Sequence, residues 1–470
     1  MKHKPNCGRP RKNPRRVWTP LLERIQPDAA GIDCGAEHHY VAVPADRDAQ
    51  PVQAFRTFTA DLKRMADWLA QCGIKTVALE STGVYWIPLY EILEERGFEV
   101  VLVNARHLHH VRGRKSDVSD CEWLQQLHSV GLLSPSFRPA AALVPLRAYL
   151  RQRQTLVEEG ATHILRMQKA LTEMNLMLHV VLSDITGTSG LKIIRGILDG
   201  ERDPAHLAAY RDYRCQASLQ EIIAALTGNY RAEHLFALKQ NFAAFDFNRK
   251  QIAECDTAIE SLLSQLAAQH SQPVAELPAP RRHHYPRPSE IKFEVRDPLH
   301  RLTGGVDLTQ IDAIGPHSAL QLIAEIGTDM TRWPSEHHFT AWLALAPNNK
   351  ISGGRRLSSR TQPSANRAAV ILRRCAMSVM HTQTALGAFY RRLASRTGKA
   401  KALTATARKL ALLIYRVLSG RLTAQHLDAT AYHHRYRLRE LRTLRRRVSA
   451  LGLQLLDPST GEILNANAVP

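Results

Sequence analysis

The chain has 470 residues, enough for about two to four domains, and 63 Lys or Arg against 43 Asp or Glu leave it with a net charge of +20. That excess favours a polyanion, most often nucleic acid, over a small neutral substrate. Ordinary hydrophobic and charged fractions (44% and 23%) exclude wholesale disorder, and no apolar run nears the ~18 residues of a membrane span. The Lys/Arg-rich start has no apolar stretch of the secretory kind, so neither membrane nor export is expected. Seven cysteines form no C-x-x-C pair, which fits a reducing cytoplasm better than a disulfide or Cys-rich zinc framework.

Residues 1–28 read as a flexible basic arm. Within it Gly8-Arg9-Pro10-Arg11-Lys12 resembles an AT-hook core. Arg9 and Arg11 would then enter an A·T minor groove, the alternative being a plain electrostatic tail. Residues 29–144 read as an α/β domain. Strands are expected at 30–34, 39–44, 54–58, 75–80 and 99–103, with amphipathic helices after the third and fourth. A hairpin followed by β-α-β units predicts a mixed sheet with helices packed on it.

Residues 145–271 change to long helices. Ile164, Met167, Leu171, Met174, Leu178 and Val181 step by three and four, as do Ile252, Cys255, Ile259, Leu262 and Leu266. These are short coiled-coil seams, and they predict an antiparallel hairpin, a dimerisation stalk or two core helices. The proline-bearing stretch 272–306 reads as a linker or ordered loop. A C-terminal helical domain follows over 307–420. Residues 421–470 form an arginine-rich helical tail, with seven Arg against one Glu between 432 and 447. The fold class is thus α/β plus all-α.

Four carboxylates stand out. Asp33 and Glu80 close two strands, and Asp117 and Asp120, three apart at a helix start, share one face. Carboxylates converging from different elements suit paired Mg²⁺, a hard ion that prefers oxygen ligands. Each also has a plainer reading: Asp117 and Asp120 favour a helix N-terminus, and Asp33 forms turns readily. Glu80 resists this, since a Glu ending an apolar strand is costly to bury without a partner.

Glu80-Ser-Thr-Gly-Val-Tyr-Trp86, Asn104-Ala-Arg-His107, Gly113-Arg-Lys-Ser-Asp117-Val-Ser-Asp120-Cys-Glu-Trp-Leu124 and Gly131-Leu-Leu resemble the DEDD transposases of the bacterial insertion-sequence family IS-one-ten. The resemblance spans about a hundred residues. It implies an RNase H-like fold similar to the Holliday-junction resolvase RuvC, with Asp33, Glu80, Asp117 and Asp120 as the catalytic, metal-holding tetrad. Two Mg²⁺ per site are then expected, with Mn²⁺ as a substitute, and Arg114 and Lys115 beside the tetrad as nucleic-acid contacts. Arg112 stands where the family pattern has Pro, and Cys121 where Ala is usual.

The second half resembles the same family's C-terminal transposase region. Residues 311–327 look like a helix-hairpin-helix half, in which Gly315 permits a tight turn and exposes backbone N–H groups to a phosphate. Ser352-Gly-Gly-Arg-Arg356 leaves Ser352 on an open turn, with Arg355 and Arg356 suited to a phosphate. By composition alone this is a solvated loop, but the resemblance makes Ser352 the nucleophile that joins covalently to DNA. Ser358, Ser359 and Ser364 compete with it, yet none precedes a glycine. Pro363-Ser-Ala-Asn366 departs from a family pattern with Gly before Asn. Arg367, Arg373 and Arg374 follow as further phosphate contacts, or as a solvated basic face. Adjacent histidine pairs lack zinc-ligand spacing.

The leading function is a transposase or recombinase acting on the DNA of its element ends and target. The resemblance adds guidance by a structured RNA and a homo-oligomer, dimer or tetramer, with composite sites built across protomers. The alternative is a RuvC-like structure-selective endonuclease using water, which needs the tetrad and not Ser352. A third option is an architectural DNA-binding protein on a degenerate nuclease fold.

Overall fold

The computed structural model describes residues 23–81, 83–104, 117–270, 274–281, 285–422, 429–456 and 463. The chain divides into two compact units, residues 1–138 and 139–470.

The first unit is built on five strands: β1 (Ala29–Cys34), β2 (His38–Ala42), β3 (Val52–Arg56), β4 (Thr76–Glu80) and β5 (Glu99–Val103). Their spatial order is β3-β2-β1-β4-β5. The β1–β2 and β2–β3 pairs are antiparallel, whereas β1–β4 and β4–β5 are parallel. This mixed sheet with flanking helices is the RNase H-like arrangement. Because side chains alternate across a strand, each strand serves two cores. Ala30, Ile32 and Cys34 of β1, with Val77 and Leu79 of β4, face a large core closed by α1 (Thr59–Gln71) and α2 (Trp86–Glu95). Gly31 and Ala78 face the other way, where α3 (Asp117–Ser129) covers the sheet through Leu124.

The second unit is helical. Long α4 (Val144–Glu173) is followed by four short helices, α5 (Leu178–Val181), α6 (Thr188–Leu198), α7 (Pro204–Ala208) and α8 (Leu219–Leu226), before α9 (Ala232–Ala268) returns. Arg153 meets Asp256, Leu156 meets Asn248, His163 meets Asn241 and Glu173 meets His234, so partner numbers rise on one helix as they fall on the other. These contacts make α4 and α9 an antiparallel hairpin, one of the readings left open by the periodicity. The first seam does not run through to Val181, however. Asn175 adopts a left-handed φ of 57° and ends α4, leaving Leu178 and Val181 on a separate short helix. The three-and-four rhythm survives this break because Met174 and Leu178 both enter the core that caps the hairpin.

The proline-bearing stretch 272–306 is more than a connector. It contains α10 (Arg296–Leu302), whose Leu299 and His300 are buried, and Arg296 pairs with the carboxylate of Asp307 at 2.6 Å. The remaining helices are α11 (Pro316–Ile326), α12 (Glu336–Trp342), α13 (Arg367–Ser378), α14 (Ala385–Thr397), α15 (Lys399–Leu418) and α16 (Ala429–Ala450). Glu325 on α11 accepts two hydrogen bonds from Arg151 on α4, at 2.8 and 2.7 Å, and lies 3.1 Å from Arg147. That ties the helix hairpin to the region bearing β6 (Lys350–Ser352) and β7 (Arg355–Ser358). Among the described residues, no helix is long and apolar enough to cross a membrane.

Candidate active site

The register of β1 and β4 decides where the first two carboxylates lie. Ile32 sits beside Leu79 on parallel strands, so Asp33 and Glu80 follow at the same level. Each is two residues beyond a small residue facing α3, Gly31 and Ala78 respectively, so alternation places Asp33 and Glu80 on that same face. Both are half-buried.

Helix α3 is brought to this end of the sheet by polar contacts along its inner side. His128 bonds Thr76 Oγ1 at 2.9 Å at the start of β4. One turn earlier, Gln125 Nε2 donates to the carbonyl of Ala29 at 3.1 Å. Another turn earlier, Cys121 lies over Gly31, where an added Cβ would stand 2.6 Å from the Cys121 carbonyl and closer still to the Gln125 nitrogen. The helix therefore runs against the strand direction. From His128 back to Asp117 it climbs about 16 Å, against about 13 Å from Thr76 to Glu80. Its first turn thus reaches the strand ends that carry Asp33 and Glu80.

The electrostatics agree. Burial pushes the Cys121 thiol up to about 12, and the charges of Glu122 and Asp33 add to the shift. Cys34 is raised further by burial, then by Asp33 and Glu80. Asp33 is thus felt on both sides of its strand, including at the helix residue next to Asp120. Both thiols stay protonated and inert. Cys121 is fully buried, which explains a small residue at that position. Burial also lowers His128 to about 4, so it is neutral where it meets Thr76.

Asp120 is half-buried in the first turn of α3. Asp117 opens that helix, one turn before Cys121, and its side chain lies outside the described residues. So do Arg9, Arg11, Arg112, Arg114 and Lys115. Among the described residues, no group of three or more His, Cys, Asp or Glu is arranged to hold a metal. The strand pair nevertheless fits a divalent ion in kind. Two carboxylates at one level of neighbouring strands repel, and a hard cation beside them offsets that repulsion.

In the second unit, Ser352 ends β6 and pairs with Arg355 across a two-residue turn. Gly353 and Gly354 have φ of 54° and 73°, the left-handed pair that a tight hairpin turn requires. Nothing lies within 4 Å of the position a Cβ would take on either glycine, and every residue from Lys350 to Leu357 is exposed. Ser352 therefore stands on an open hairpin, next to a turn other chains can approach. Strand alternation separates the two arginines. Arg355 shares the face of Ser352, whereas Arg356 pairs with Ile351 on the other face. They do not form one fork around the serine.

Gly315 has an ordinary extended backbone (φ −86°, ψ 168°) and caps α11. The left-handed residue of this turn is Ala313, at φ 77°. What precedes it is a single 3-10 turn (Leu308–Gln310) held by Asp307, so the segment is a turn and a helix. Arg373 is half-buried and Arg367 exposed on α13, while Arg374 donates to Gln321 at 3.0 Å. Asn366, preceded by Ala, caps that helix by accepting from the Ala369 nitrogen at 3.2 Å. Tyr85 is exposed, and Trp86 packs edge-on to Tyr90 against the main core.

Sequence reasoning missed the residues that position α3: Gly31, Gln125 and His128. The available signal was a glycine two residues before Asp33, on the same face of its strand.

Comparison with known proteins matches these two regions separately. Residues 30–176 match the family model of the DEDD transposases of IS110 type, described as Transposase, and residues 307–391 match that described as Transposase IS116/IS110/IS902 family. No curated protein matches the chain. The first match covers the sheet unit and α4, the second the serine-bearing helical region, and the chain belongs to the IS110 family of transposases.

Proposed function

We propose that the protein excises and inserts its element by cleaving and rejoining DNA, with Asp33, Glu80, Asp117 and Asp120 holding paired Mg²⁺ and Ser352 as nucleophile. The observation that carries this reading is the placement of Asp33 and Glu80 at one level and on one face, at the end of the sheet reached by the first turn of α3. When bound, the metals neutralise charge on the scissile phosphate and make a hydroxyl a better nucleophile. The four carboxylates hold and orient that charge. The exposed hairpin presents Ser352 to a strand, and Arg355 on the same face offers a guanidinium to the phosphate.

Attack by the Ser352 hydroxyl displaces a DNA hydroxyl and joins protein to strand; attack by a second DNA hydroxyl then frees the serine. Two transesterifications conserve the phosphodiester without ATP. Family membership supports guidance by a structured RNA and assembly as a dimer or tetramer.

The test is Ser352→Ala in the full-length protein, with element-end DNA, Mg²⁺ and RNA transcribed from the element's flanks. The expected result is loss of the covalent protein–DNA adduct and of strand exchange. Continued cutting without an adduct establishes instead the water-using endonuclease.

A further inference from the structure

Helix α16 lies beyond both matched regions, and neither the tetrad nor Ser352 gives it a task. It carries seven arginines and one glutamate. Among the described residues, none of the seven is ion-paired. Their spacing is not random. Arg435, Arg439, Arg442 and Arg446 step by four, three and four, so they line one face of the helix, and all four are exposed. Glu440 is engaged by the Tyr436 hydroxyl.

The helix is anchored along the edge of this row. Tyr432 packs edge-on to Phe389 of α14, and the Arg392 guanidinium lies 3.5 Å from the Tyr436 ring centre. Leu438, Leu441 and Val448 are half-buried on the side away from those tyrosines. The arginine row borders the tyrosine side, with Arg439 near enough to Tyr432 and Lys409 to act on both, and all four of its side chains are exposed.

We infer that the Arg435–Arg439–Arg442–Arg446 row of α16 is a docking face for the phosphate backbone of duplex DNA. Charge complementarity selects a polyanion. Helix geometry selects the duplex: a helix of 22 residues, about 33 Å long, is admitted by the ~12 Å major groove of B-DNA and not by the deep, narrow groove of A-form RNA. The row itself spans about 16 Å, several phosphates' worth of backbone. Arginine without base-edge partners contributes affinity and register, with no sequence choice. The inference rests on the reading that DNA is the substrate, and it assigns the part of the protein that holds the flanking duplex.

The experiment measures equilibrium binding of the full-length protein to a DNA duplex without cleavage, as a function of salt, so its result does not depend on the tetrad or on Ser352. Two charge-matched variants are compared, Arg439→Gln/Arg442→Gln on the row and Arg437→Gln/Arg447→Gln off it; Gln keeps helix propensity. The row pair is expected to flatten the dependence of log K on log salt by about 1.8, and the off-row pair by less than about half of that. Equal effects from the two pairs overturn the inference in favour of diffuse charge. No effect from either overturns it in favour of a solvated helix. Weakened binding to an RNA duplex of equal length, with DNA binding unchanged, reassigns the face to RNA.

Discussion

Gly31 on β1 lies directly beneath Cys121 on α3: a Cβ on the glycine would come within 2.6 Å of the cysteine carbonyl oxygen. Backbone on backbone leaves no flexible side chain to give way, so a methyl group there must lift the helix. Overpacking of this kind costs about 1–3 kcal/mol. Gly31→Ala is expected to lower the unfolding free energy by that amount. Because the lifted helix carries Asp117 and Asp120 away from Asp33 and Glu80, it also loses strand cleavage out of proportion to its stability. Denaturant titration and a cleavage assay on the same preparation check both. A variant with unchanged stability would show that α3 does not rest on this residue.

Asp33 and Glu80 stand at one level on neighbouring strands, and replacing either by its amide removes a charge without changing its shape. Asp33→Asn and Glu80→Gln are each expected to reduce cleavage by about 10³-fold or more, the several kcal/mol a metal site supplies. Folding is expected to be retained, because the amide keeps the shape of the carboxylate it replaces. Chelation of divalent ions from the wild-type protein should give the same loss, with Mg²⁺ or Mn²⁺ restoring it. Cleavage kinetics with circular dichroism decide; an amide variant that cuts at the wild-type rate removes that residue from the tetrad.

The sheet and the strand carboxylates were legible because short apolar runs end cleanly at Asp33 and Glu80. The inner face of α3 was not. Gln125 and His128 are polar, and they are buried because Ala29 and Thr76 on distant strands bond them, which no local pattern encodes. The break at Asn175 was hidden for the opposite reason: Met174 and Leu178 keep the helical rhythm while belonging to two helices. In 272–306 the prolines read as a boundary, yet Arg296 and Asp307 pin the segment through an ion pair. Around Gly315 the residue type misled, since the positive φ belongs to Ala313.

His128 gives stability a pH dependence with a definite sign. Burial lowers it from 6.5 to about 4. The unfolded chain therefore takes up a proton as pH falls through 6.5, while the folded protein does so only near 4. Stability from this residue is complete above pH 6.5 and is lost progressively between 6.5 and 4, with a ceiling on the order of 3 kcal/mol. His39, buried and lowered for the same reason, acts in the same direction. His128→Gln, which keeps a donor for Thr76, should flatten the wild-type slope in that window. Denaturant midpoints at pH 7 and pH 4.5 measure it, and parallel slopes would show that His128 titrates normally.

Arg153, almost wholly buried between α4 and α9, donates to Asp256 at 3.2 Å through Nη2 and to the Ser289 carbonyl at 2.7 Å through Nη1. Removing the carboxylate leaves a buried cation with one neutral acceptor. Asp256→Ala is thus expected to cost about 3 kcal/mol, the low end for a broken buried pair, because Asp256 keeps 24% of its side chain exposed. Replacing both partners by apolar residues, Arg153→Met with Asp256→Leu, removes charge and acceptor together. It should restore most of that loss, since buried pairs exchanged for packed hydrophobics are often neutral or better. Unfolding free energies of wild type, Arg153→Met, Asp256→Leu and the double variant close the cycle. If the double variant is as unstable as Asp256→Ala, the bond to Ser289, and not the ion pair, is what joins the hairpin to residues 285–295.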